Sequence, residues 1–155
     1  MNLGKQQHKN PTPTVDTIIQ KGNKVLVVER KRDPFKQMMV LPGGFINEGE
    51  RAEDAAIREV KEETSLDIVL DNILGVYSDP SRDPRGHIMS TVFIGKISDN
   101  SDKKEPIAGD DAATTKWVDL VSIEEEQFGF DHKKILMDYK EWKQSGQTYW
   151  SSKKN

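Results

Sequence analysis

The sequence predicts a mixed α/β layer structure, from three observations. Short β-rich runs, VDTIIQ, KVLVVERK and HIMSTVFIGKI, alternate with two longer segments of helical pattern. Loops rich in Gly, Pro and Asp separate them. The apolar residues are only 34% of the 155 and charged residues reach 32%, but the apolar ones gather in short runs. That pattern fits one folded domain with a charged surface rather than a disordered chain.

The elements follow in order. Residues 1–14 are polar, end in NPTPT and read as a tail. A single domain spans 15–145. VDTIIQ and KVLVVERK flank the turn signal KGN and predict a β-hairpin. RDPFKQ reads as a loop, MMVL as a short strand, and PGGFINEGE as a loop by its proline and glycines. Arg51 to about Thr64 is Ala- and Glu-rich without Gly or Pro, which predicts a helix. LDIVL and ILGVYS suggest one bent strand broken at Asp71-Asn72, and DPSRDPRG is a charged loop. HIMSTVFIGKI is the longest strand, SDNSDKKEP a solvated loop and TTKWVDL another strand. Asp131 to about Gln144 is a closing helix with Asp131 as N-cap. Residues 146–155 are polar and are expected to fray.

Composition excludes several classes. A net charge of −3 gives no general pull toward nucleic acid or anionic membrane. With no cysteine there is no disulfide, thiol nucleophile or cysteine-bound metal, which fits a cytoplasmic protein. The N-terminus lacks a signal-peptide core, and no run approaches the roughly 18 apolar residues of a membrane span.

The stretch REVKEETS concentrates three glutamates at the end of the first helix. At about 100° per residue, Glu59, Glu62 and Glu63 share an arc of roughly 100°. Ala52, Ala55 and Ala56 lie on the same stripe one and two turns earlier. The face therefore points inward at its start and carries acids at its end. A solvated charge run is the plain alternative. Against it, like charges at i,i+4 cost roughly 0.2–0.5 kcal/mol. Acids in a last turn also oppose the helix dipole by about 0.3–1 kcal/mol each. A divalent cation would offset both, and carboxylates suit Mg²⁺ or Mn²⁺. Just upstream, Gly43-Gly44 lets a ligand or metal approach the backbone.

These residues together resemble the Nudix box. Gly44, Glu50, Arg58, Glu59, Glu62 and Glu63 fall on its fixed positions, and Val60 and Leu66 on its aliphatic ones. LPGGF precedes it directly. Ser65 departs where the pattern has glycine, at the place of a left-handed helix cap. Arg51 departs where a capping Ser or Thr is common. The resemblance implies a Nudix fold, a mixed β-sheet sandwiched between helices (α-β-α). It implies metal-assisted hydrolysis of a diphosphate linked to another group. Mg²⁺ or Mn²⁺ would be held by Glu59, Glu62 and Glu63, with a carbonyl near Gly43-Gly44 and Glu50 as an outer or conditional ligand. Arg58 would orient Glu62 through an i,i+4 pair. The catalytic base is either Glu63 or an acid of the loop AGDDAATTKW, where Asp111 is the candidate. The family's glutamate before the tryptophan is replaced here by Thr114 and Thr115.

The loop carrying Arg82, Arg85 and His87 bears on the substrate. Arginine's fork matches phosphate oxygens, and His87 offers a hydrogen bond to phosphate or ribose. RDPRGH with Pro80 looks like the ADP-ribose pyrophosphatase branch, and ERKRDPF, AGDDA and FDHKKIL are similar to it. This implies ADP-ribose cleaved to AMP and ribose 5-phosphate, with Gly44, Arg82, Arg85 and His87 on the substrate. The alternatives are a nucleoside triphosphate such as 8-oxo-dGTP, a nucleotide sugar, or a non-catalytic ADP-ribose sensor. Trp117, Tyr77 and Phe93 read as core aromatics rather than base-stacking ones. Relatives often pair, so a homodimer is expected.

Overall fold

The computed structural model describes residues 8–100, 103–110 and 112–154. β1 (Thr12–Lys21) and β2 (Lys24–Arg30) form the expected hairpin, but they pair only beside the turn, at Gln20–Val25 and Lys21–Lys24. Beyond it the strands part. β1 runs parallel to β6 (Ile88–Ile97) and antiparallel to β4 (Gly43–Phe45). β2 instead pairs with β3 (Met39–Val40) and β7 (Ala112–Asp119). β5 (Ile68–Tyr77) and β8 (Tyr149–Trp150) complete the order β3-β2-β1-β6-β5-β8. The parting of β1 from β2 leaves a cleft between their far ends.

Two helices cover the sheet, α1 (Ala52–Thr64) and α2 (His132–Ser145). The period-2 alternation of β1 and β2 sends side chains to both layers. Ile18, Val25 and Val27 pack with Ile135, Leu136 and Tyr139 of α2. Val15 meets Ala55 and Ala56 of α1, while Ile19 and Leu26 meet Val60. This is the expected α-β-α sandwich. Each fully buried Ile or Leu stabilises it by roughly 1.5–3 kcal/mol.

α1 starts without a side-chain cap, since Arg51 cannot accept an N–H and instead pairs with Asp54 (Nε to Oδ2, 2.7 Å). It ends at Ser65, which takes the left-handed conformation (φ 64°) while its N–H donates to Lys61 O at 2.9 Å. β5 bends as expected, with irregular register between Leu70 and Asn72 and again between Ile73 and Gly75.

The structure revises four expectations. Gly43–Phe45, read as loop, is a strand, because glycine lets its backbone pair closely with Val15 and Asp16. The first strand begins inside the expected tail, where the Thr12 N–H donates to His87 O at 3.0 Å. The last ten residues do not simply fray: Tyr149 is buried and pairs beside Gly75 in parallel register. A Cβ at Gly75 would collide with Tyr149 O. Asp131 stands at the N-cap position of α2 but makes no capping bond, because its carboxylate takes the Arg82 fork at 2.9 and 2.7 Å.

Candidate active site

The cleft between β1 and β2 is a cavity of about 410 Å³. Its floor carries Asp16 of β1, Gly43 and Gly44 of β4, and Glu59 and Glu63 of α1. Arg30, Arg82, Arg85, Phe45 and Phe130 also line it, together with Glu29, Asp33 and Asp83. Carboxylates and guanidiniums therefore face the same space.

The small stripe of α1 brings the acids there. Ala55 and Ala56 are fully buried against β1, so the helix sits close enough for Glu59 and Glu63 to reach β4. The Gly43 N–H donates to Glu63 Oε2 at 3.0 Å. A Cβ at Gly44 would strike the Glu59 carboxylate. Burial pushes the Glu63 pKa up to about 8; the neighbouring Glu59 and Asp16 push the same way, while the Gly43 N–H and Arg30 oppose. Burial also raises Glu59, against the pull of Arg58.

Arg58 organises the remaining acids. Its Nε donates to Glu50 Oε1 at 2.7 Å and its Nη2 to Glu50 Oε2 at 2.9 Å. Nη1 reaches Glu59 Oε1 (2.8 Å) and, as the i,i+4 reading expected, Glu62 Oε2 (3.2 Å). Nη2 also meets Phe45 O (3.0 Å), tying α1 to β4. The bonds from Arg58 and from the Asn47 N–H hold Glu50 down at about 2. Both oxygens of Glu50 are thereby engaged. Glu62 points away from the cavity, with 58% of its side chain exposed.

Hard oxygen donors of this kind suit Mg²⁺ or Mn²⁺. Burial, which raises the pKa of both Glu59 and Glu63, disfavours their charged forms. In the conformation seen, no three His, Cys, Asp or Glu side chains converge as an ion cage among the described residues. Glu59 and Glu63 face the cavity, and Glu62 would join them by turning from Arg58.

The loop bearing Asp110 abuts the same helix end. The N–H groups of Ile107 and Gly109 donate to Thr64 O (2.8 Å) and Glu63 O (3.0 Å), satisfying carbonyls that the helix terminus leaves open. Asp111 lies outside the described residues.

The three cationic residues of the 79–87 region separate. Arg82 is buried and bound to Asp131, with Asp16 at 3.8 Å. Arg85 forks onto Asp83 at 3.1 and 2.8 Å, its guanidinium 5.2 Å from the Phe45 ring centre and 5.5 Å from that of Phe130. His87 Nε2 meets Ser78 O at 2.9 Å and does not line the cavity, so its contact closes the loop. Tyr77 and Phe93 are core residues, and Trp117 packs beside Ile19 and Leu26, as expected.

Sequence reasoning missed Asp16 and His132. Asp16 is an acid inside an apolar strand run, and that was the available signal. Ser90 Oγ donates to its Oδ2 at 2.6 Å, and His132 Nε2 lies 3.5 Å from its Oδ1. Burial pushes the Asp16 pKa up, but His132, Arg82 and Ser90 together outweigh it and hold it low. The Leu41 N–H donates to His132 Nδ1 at 2.9 Å, which places the ring proton on Nε2, facing Asp16.

A family model described as the NUDIX domain matches residues 10–139. This chain belongs to the Nudix family. Among Nudix proteins it is 47% identical over 134 residues to an ADP-ribose pyrophosphatase of Methanocaldococcus jannaschii, covering 86% of this chain and 76% of that one. The structure is similar to the NUDIX domain of Shewanella oneidensis NrtR complexed with ADP ribose (TM-score 0.74, 27% identity, 90% and 93% coverage). It is also similar to a bifunctional NMN adenylyltransferase/ADP ribose pyrophosphatase from Francisella tularensis complexed with AMP and a Mn ion (TM-score 0.71, 30% identity). There the match covers 87% of this chain and 43% of the other. The chain is a Nudix pyrophosphohydrolase. Among the described residues, no helix is long and apolar enough to cross a membrane.

Proposed function

We propose that this Nudix enzyme hydrolyses the diphosphate of ADP-ribose to AMP and ribose 5-phosphate with Mg²⁺ or Mn²⁺. The observation that carries the reading is one cavity that Glu59 and Glu63 share with the guanidiniums of Arg30 and Arg85. The similarity to the M. jannaschii ADP-ribose pyrophosphatase supports ADP-ribose as the substrate.

A bound divalent ion would neutralise phosphate charge and acidify water. Glu59, Glu63 and Glu62 would hold it, with a carbonyl near Gly43. Arg58, braced by Glu50, fixes the orientation of Glu59 and Glu62. Glu63 is the first choice for the base, since it lines the cavity and is held beside β4 by the Gly43 N–H. Asp111 is the alternative. Arg85, partly exposed on the cavity wall, supplies positive charge to the phosphates. The absence of cysteine accords with the cytoplasm. A homodimer belongs to the same reading, and light scattering after gel filtration tests it.

The substrate test is a panel of ADP-ribose, 8-oxo-dGTP, dGTP and UDP-glucose with each metal. ADP-ribose should have the highest kcat/KM; equal or better turnover of another member would remove the assignment. The likeness to the NrtR domain favours a second reading, an ADP-ribose sensor. Calorimetric binding of ADP-ribose without product in the presence of metal would select it.

A further inference from the structure

Arg30 ends β2 at a register irregularity between Glu29 and Arg30. A bulge re-aims the side chain that follows it, and here the guanidinium lines the cavity. Its Nε donates to Pro34 O at 2.5 Å, and its carbon lies 5.1 Å from the Phe130 ring centre. Arg85 lies 5.5 Å from the same ring centre and 5.2 Å from that of Phe45, so the two guanidiniums share the Phe130 ring.

Two features set Arg30 apart. Arg82 and Arg85 each fork onto a carboxylate, whereas Arg30 makes no ion pair with a carboxylate among the described residues. Burial and then the charge of Arg85 push its pKa below the ordinary value, opposed by Glu63, Asp83 and Asp33. Arginine nonetheless stays charged. Phe130 also holds a left-handed backbone (φ 53°), a conformation such a residue rarely adopts. Its ring rests edge-on against Phe35, which is likewise left-handed (centres 4.7 Å apart; φ 60°). The fold thus holds an unneutralised, partly desolvated cation in place beside the acidic floor. Such a charge is complementary to an anion that arrives with the substrate.

We infer that Arg30 is a phosphate-binding residue, pinned against Phe130 to receive oxygens of the substrate's diphosphate. Phe130 is its positioning residue. The inference rests on the diphosphate reading above.

The test is calorimetric titration with α,β-methylene-ADP, a non-hydrolysable diphosphate, in Mg²⁺. Arg30→Met should weaken binding about ten- to a hundredfold, the scale of a charged hydrogen-bond pair, with the melting temperature retained. Lys96→Met removes the same charge at an exposed position far from the cavity and should change affinity less than twofold. Added guanidinium, at matched ionic strength, should partly restore binding to Arg30→Ala. Phe130→Leu should weaken binding about threefold in the native background and add nothing in the Arg30→Met background. If the Met variant loses its fold, Arg30→Lys carries the test. It keeps the charge without the fork, and three- to tenfold weakening supports the inference. Arg30 variants that fold and bind within twofold of wild type overturn it, as does equal weakening by Lys96→Met. If wild type itself does not bind the probe, the diphosphate reading falls and this inference with it. If wild type binds and the Arg30 variants bind equally, this inference alone falls.

Discussion

Replacing Glu63 with Gln should stabilise the metal-free protein, and more so as pH rises. The carboxyl has a pKa of about 8 in the folded chain and an ordinary value near 4.5 when unfolded. Below about 4.5 both states hold the proton and burial of the neutral group costs little. Between those values the unfolded chain releases its proton first, so stability falls by about 1.4 kcal/mol per pH unit. Above about 8 both states are ionised and the loss is complete. Gln keeps an acceptor for the Gly43 N–H, which donates to Oε2 at 3.0 Å, and removes the charge. Urea unfolding in chelator at pH 5 and pH 7.5 should show the advantage of Gln growing by about 2–3 kcal/mol. In melting temperature that is roughly 5–10 °C for a domain of this size. An advantage that is the same at both pH values would refute the burial argument. The same substitution should abolish most turnover, since it removes both a cation ligand and the proposed base.

Three further outcomes follow from the geometry. Gly44→Ala should displace the Glu59 carboxylate and lower kcat by about a hundredfold, with the far-UV dichroism unchanged. Tyr149→Ala should cost about 3 kcal/mol in chemical denaturation, because a buried ring leaves the β5 edge. Ser65→Gly should raise stability by about 0.5–1 kcal/mol by relieving a left-handed serine, with kcat unaltered.

The layer class, the hairpin turn, α1 and its acidic face were legible because each rests on local pattern. A period of two or 3.6, a turn signal or a stripe of alanines states itself within a few residues. Ser65 was legible for the same reason: the box expects a left-handed residue there, and serine adopts it. What stayed hidden depends on distant partners. Nothing local says that β1 leaves β2 after two pairs to join β6, yet that parting makes the cavity. Nor does a polar C-terminal segment announce that Tyr149 fills a place held open by Gly75. Arg82 and His87 were read as substrate groups from their side-chain chemistry and from the resemblance of RDPRGH. Folding commits one to Asp131 and turns the other to Ser78 O. Asp16 and His132 come from opposite ends of the chain and meet only in the folded site.

The floor of the cavity carries the central proposal: Glu59 and Glu63, half-buried beside Gly43 and Gly44, would hold a divalent cation. Titration of the protein with Mn²⁺, followed by the electron paramagnetic resonance signal of free Mn²⁺, measures this directly. Wild type should bind saturably, and the double variant Glu59→Gln, Glu63→Gln should lose that binding while keeping its fold. Identical Mn²⁺ isotherms for the two proteins would contradict the account.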